Sequence, residues 1–297
     1  MSRSHHSRIP LLGAIAMTLL METACGGGGG IDVGSGGTGI SGSVIKGPTA
    51  NATVIAYAVS AGQPGAQIGS ATTDANGNFT MAVASYTGPV MLQASAGTYR
   101  DEATGALMTM AAGDVMTAVL PSVASGATIS GIQVTPVTSM AQTRAQQLTG
   151  GMTDANIAAA NTAMGNYFSV SDILHVQPMN PLVPGSGAGA GPDARNYGMT
   201  LAAMSQYAKS LNMANSSDLV TAMMSDASDG MMNGRRGSGP ISMGGMMGNP
   251  TMSPTAGTSG LATAMTNFAM SPANLSGLTA ADVAPLAQKM SSSGGQF

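Results

Sequence analysis

The chain has 297 residues, a formal net charge of -3 and only 8% charged residues, so it has no basic surface able to neutralise a phosphate backbone, and nucleic acid is excluded as a partner. Aromatic residues make up 3% and Trp is absent, which argues against stacking platforms for bases or sugars. Gly 42 and Pro 15 are high counts but below those of a wholly low-complexity chain, so a folded protein with loose segments is expected.

Arg3 and Arg8 precede an apolar stretch from Ile9 to Met21, and the small residues Thr23 and Ala24 follow it. A charged start, an apolar run and a small-residue cleavage zone make an export signal, placed at 1–24. The run is shorter than the roughly 20 residues that span a bilayer, so removal is expected rather than retention. Cys25 comes next and is the sole cysteine, so no internal disulfide can form and the fold must rest on its core. From Gly26 to Gly37 the chain is dominated by Gly and Ser, the composition of a flexible coil, and 25–39 is read as a tether.

Thr23-Ala24-Cys25-Gly26 resembles the lipobox of bacterial lipoproteins, with Glu22 departing from the Leu usual there. The resemblance implies that the Cys25 thiol carries the lipid, palmitate among its acyl groups, and becomes the first mature residue. Thiolate nucleophilicity explains why that residue must be Cys. Gly26 at the second mature position implies sorting to the outer membrane, with membrane lipid as the partner reached through Cys25.

From Ile40 the apolar residues alternate. Ile40 to Lys46, Thr53 to Val59, Gln67 to Thr73, Phe79 to Val83 and Pro89 to Ala94 are short runs bounded by Gly, Pro, Asn or Asp. Leu107 to Met110, Val115 to Leu120 and Thr128 to Val134 extend the series, whose spacing is that of an antiparallel sandwich. Asn76-Gly77 favours positive φ and predicts a tight hairpin. Asp74, Asn76 and Asn78 alternate like the start of a calcium loop, but no Glu stands at the twelfth position, so a turn is expected.

Ser41 to Pro48, Thr53-Val54 and Thr73 to Phe79 together resemble the carboxypeptidase regulatory-like domain, which is transthyretin-like. That resemblance implies a seven-stranded antiparallel β-sandwich over 40–134 and no peptidase chemistry. The composition agrees: past the signal only His175 remains of the three histidines, too few for a zinc peptidase site.

Beyond Pro136 the period becomes helical, and 135–297 reads as an Ala/Met-rich helical domain, giving an α+β fold class with the two parts as separate domains. Helices are expected over Thr138 to Leu148, after Thr153, over Asp193 to Leu211 and after Ser216 or Ser217. Later ones cover Leu261 to Ala269 and Thr279 to Met290, with Pro285 interrupting the last. Thr135 to Ala141, Leu201 to Ala208 and Asp226 to Gly234 look like the helical half of bacterial lipoproteins, a likeness that implies no activity. Asp226, Asp229 and Asn233 lack EF-hand spacing and are read as a helix end before Gly234.

There are 26 methionines, many at helical core spacing, where Met fills gaps as Leu would. The stretch 230–256 has no period and reads as a flexible loop. Thioethers select Cu(I), so Met243, Met246 and Met247 are the candidate ligands of an alternative, Cu(I)-handling reading. His175, between Leu174 and Val176, reads as a half-buried structural imidazole, and Asp101-Glu102 as a solvated turn. Apart from that copper alternative, no metal, cofactor or catalytic residue is expected. The sequence thus leads to an exported, lipid-anchored binding or scaffolding module at the outer membrane that is not an enzyme, with envelope proteins or glycans as candidate partners.

Overall fold

The structure is a computed structural model that describes residues 37–244 and 250–297. The expected signal at 1–24, Cys25 and most of the tether lie outside the described residues. So do Met246 and Met247.

Among the described residues nine strands precede the first helix: β1 (Thr38–Val44), β2 (Thr53–Ser60), β3 (Gln63–Thr72), β4 (Asn78–Val83), β5 (Gly88–Ser95), β6 (Thr98–Arg100), β7 (Leu107–Thr109), β8 (Val115–Val123) and β9 (Thr128–Val134). They make a three-stranded sheet in the order β4-β1-β9, a four-stranded sheet in the order β3-β2-β5-β8, and a β6-β7 ribbon. Pairing is antiparallel except between β1 and β9, which run parallel. That one pair corrects the expectation of antiparallel strands throughout. It arises because β9 returns to the edge of β1 from the far end of the strand series, a long-range pairing that alternation does not encode.

Alternation decides which face is buried. In β4, Phe79, Met81 and Val83 are buried and their neighbours exposed, and they meet Val54, Val90, Leu92 and Ala118 of the four-stranded sheet in one apolar cluster. Burying side chains of this size stabilises by about 1.5–3 kcal/mol each. The turn before β4 forms where Asn76-Gly77 predicts it. Asp74 Oδ1 accepts from the backbone N–H of Asn76 and of Asn78, both at 2.8 Å, and Gly77 takes φ +80°.

The helices are α1 (Pro136–Gln147), α2 (Asp154–Phe168), the short α3 (Ser186–Gly189), α4 (Pro192–Ser210), α5 (Ser216–Ala227), α6 (Leu261–Ala269) and α7 (Ala280–Ser292). A two-stranded hairpin, β10 (Arg235–Arg236) and β11 (Gly239–Pro240), and a π-turn over Ala256–Gly260 lie between α5 and α6. Helix α1 starts on a capping box: Thr135 Oγ1 accepts from Thr138 N at 3.1 Å, and Thr138 Oγ1 accepts from Thr135 N at 2.8 Å. Fully buried Tyr197 on α4 reaches the same cap, pairing with Thr135 Oγ1 at 2.6 Å and donating to Ile173 O at 3.0 Å. Pro285 sits inside α7 without ending it.

The helices pack on the sheets. Ala145, Ile157 and Ala160 of α1 and α2 cover Val59, Met91 and Val119 on the outer face of the four-stranded sheet. This explains why β8 is buried on both faces through its middle. A second cluster gathers Met140 of α1 and Phe168 of α2 with Tyr197, Met204, Met223 and Phe268 of the later helices.

The stretch 230–256, expected to be a flexible loop, is folded in its described part. Met232, Ile241, Met243 and Met252 are buried in the helical core. Backbone bonds run from Met252 N to Ile241 O at 2.8 Å and from Met232 N to Gly295 O at 2.7 Å. Met232, Met243 and Met252 are buried without helical periodicity because short extended segments, not a helix, present them.

Candidate functional site

The strongest chemical constellation joins the two halves. Lys46, just past the end of β1, is fully buried. Its Nζ donates to Glu102 Oε2 at 3.0 Å and to Ser205 Oγ of α4, and lies 4.0 Å from Asp101 Oδ2. It also sits 5.4 Å from the centroid of the Tyr99 ring. Glu102 Oε1 accepts from Gly47 N at 2.8 Å, and its Oε2 accepts from Ser205 Oγ at 2.5 Å. Asp101 Oδ1 accepts from the N–H of Ala103 and Thr104 and from the Thr104 hydroxyl, while Oδ2 accepts from Ser216 Oγ at 2.7 Å.

Asp101 and Glu102 are each 2% exposed, which overturns their reading as a solvated turn. The partners that make their burial tolerable stand far along the chain, just past β1 and on α4 and α5. Burial pulls the Lys46 ammonium toward its neutral form, but Glu102 and Asp101 outweigh it and hold the pKa above the usual value. Burial likewise pushes the Asp101 carboxyl up, while Lys46 and the Ser216 hydroxyl outweigh it and leave the net shift downward. Every carboxylate oxygen here has a donor. The cluster is therefore built to hold charge in place, clamping the strands to α4 and α5.

His175 stands at the surface. Its Nδ1 meets Asp172 Oδ2 at 2.8 Å, with both side chains 51% exposed. Asp226 and Asp229 serve the helix end. Fully buried Asp226 accepts on Oδ1 from the N–H of Asn233, Gly234 and Arg235, while Asp229 accepts from Met231 N and Gly237 N. Of the copper candidates, Met243 is 4% exposed inside the core, not presented on a loop. Among the described residues no group of three or more His, Cys, Asp or Glu could hold a metal ion.

Two open clefts border the helical half. One, of about 430 Å³, holds Asp114 and Asp218; Thr221 Oγ1 donates to Asp114 Oδ1 at 2.7 Å, and burial together with Asp114 raises the Asp218 pKa. The other, of about 370 Å³, runs between α4 and α6 and is lined only by uncharged residues. Neither could be found in the sequence, because each draws its lining from elements distant in the chain.

No family model matches the chain, and the curated proteins searched give no match. Among solved structures, a crystal structure of a 9R-lipoxygenase from Cyanothece PCC8801 is similar at 12% identity and a TM-score of 0.22 over 65% of this chain. The chain spans 24% of the length of that structure's chain. This match with an enzyme corrects the expectation that the chain is not one, and absence of catalysis is not carried further. A likeness this slight carries no argument for any activity.

Proposed function

We propose that the chain is a lipid-anchored protein of the bacterial cell envelope that acts as a binding or scaffolding module. In this reading 1–24 is removed on export, acylated Cys25 holds the protein to the outer membrane, and 25–39 is its tether. Residues 40–134 are a seven-stranded sandwich of the carboxypeptidase regulatory-like kind, and 135–297 the helical domain that presents the binding surface.

The observation that carries the reading is Cys25, placed directly after an apolar run and small residues and directly before polyglycine. The fold is compatible with it. Among the described residues no helix is long and apolar enough to cross a membrane, and the first strand begins at Thr38.

Mass spectrometry of the mature protein tests the anchor. A diacyl or triacyl mass on N-terminal Cys25, and release from membranes by Cys25→Ala, are expected. An unmodified N-terminus at another residue overturns the proposal.

A further inference from the structure

We infer that Met270 is a site of reversible oxidation, at which a peroxide converts the thioether to a sulfoxide without disturbing the fold. Among the described residues every other methionine is buried or half-buried, whereas Met270 is 65% exposed. A thioether's susceptibility to oxidants follows its exposure, so this one sulfur stands open while the rest of the described set is protected. Oxidation there does not depend on the lipid anchor.

The helix that carries Met270 explains the contrast. Met265 of α6 is fully buried in the helical core, and Met270 is the C-cap of the same helix. Five residues at about 100° each turn the second side chain roughly 140° away from the first, which takes it out of the core. The helix end does not depend on that side chain. Asn274 Nδ2 donates to Ala269 O at 2.9 Å and to Leu278 O at 2.7 Å, and the part Met270 plays is a backbone N–H donated to Thr266 O at 3.2 Å. None of the apolar clusters takes in the Met270 side chain. An oxygen added to its sulfur therefore stays in water, whereas the same oxygen on Met265 would put an unpartnered polar group into the core.

The chemistry needs no group from the protein beyond the thioether. A sulfur lone pair attacks one peroxide oxygen, and an S–O bond forms as the O–O bond breaks. The departing hydroxide takes the proton left on the transferred oxygen and leaves as water. Sulfur is oxidised by two electrons and the peroxide is reduced by two. Exposure also admits a sulfoxide reductase, which returns the thioether.

Peptide mapping of the full chain after graded exposure to hydrogen peroxide, quenched with catalase, tests the site. Sulfoxide at Met270 should accumulate at least about tenfold faster than at any other methionine among the described residues, because a buried thioether must wait for local opening. Met270→Leu should abolish that fast phase and leave the slower ones unchanged. The chain oxidised at Met270 alone should keep its urea midpoint, and methionine sulfoxide reductases of both stereospecificities should together restore the thioether without denaturant. Three results overturn the proposal: another methionine among the described residues reacting as fast, a midpoint that falls when Met270 alone is oxidised, or a sulfoxide that resists both reductases in the folded chain.

Discussion

Lys46 and Asp226 mark two regions that bury charge by different means. Around Lys46, an ammonium faces two carboxylates and the hydroxyls of Ser205 and Ser216 complete the set. Around Asp226, the partners are three backbone N–H groups on one oxygen, while Oδ2 has none. The consequences are opposite. Asp101 is held below the usual carboxylate range, whereas burial lifts Asp226 to about 6 against the pull of its three N–H donors. A full opposite charge nearby can overcome desolvation, and amide dipoles shared on one oxygen do not.

The sharpest way to break this contrast is Lys46→Met. It leaves two buried carboxylates without their cation and should lower the unfolding free energy by about 3–5 kcal/mol, read from urea melts. Adding Asp101→Asn and Glu102→Gln to that variant should restore much of the loss, because the uncompensated charge is what destabilises. If the single variant were as stable as wild type, the clamp reading of the cluster would be wrong.

The next effect is one of pH. Because the folded pKa of Asp226 is raised to about 6 from 3.8, the folded state holds its proton more tightly than the unfolded chain. The stability this confers is complete below the unfolded pKa and disappears as pH rises through about 6. The loss is bounded at about 3 kcal/mol, one pKa unit being about 1.4 kcal/mol. Asp226→Asn should match wild type near pH 4 and exceed it above pH 6, in denaturant midpoints taken across that range. Asp101→Asn should behave the other way, costing most at neutral pH and least in acid, since a lowered pKa contributes above the unfolded value and fades below it.

A smaller effect is expected at the cap that Tyr197 braces. Thr135→Ala removes the side chain accepting from Thr138 N, and should lower the melting free energy by about 1–2 kcal/mol. Smallest of all, His175→Gln should change stability by less than about 0.5 kcal/mol, because an exposed pair is screened and mobile. A larger change there would mean that exposure misjudges the pair.

Local features of this fold are written locally. The alternation of Phe79, Met81 and Val83 places β4, and Asn76-Gly77 places the turn before it, because the period and the backbone preference belong to neighbouring residues. Helix α6 falls where Leu261 to Ala269 predicts it. What could not be read depends on distance. Nothing next to Asp101-Glu102 announces Lys46, Ser205 or Ser216, so an acidic pair in a polar stretch looks solvated until the chain folds back over it. The parallel pairing of β1 with β9 and the burial of Met243 escape for the same reason, and the α4–α6 groove is visible only once both helices are in place.

The bond from Met232 N to Gly295 O, together with the bridge between Met231 and Gln296, has a consequence for the order of assembly. In a chain emerging from a ribosome or threading through a translocation pore, the segment after α5 is complete long before its partner arrives. Until Gly295 and Gln296 appear, Met231 and Met232 have an unpaired backbone edge. The edge at Met231 and Met232 thus closes only after the chain through Gln296 has been made, more than sixty residues later.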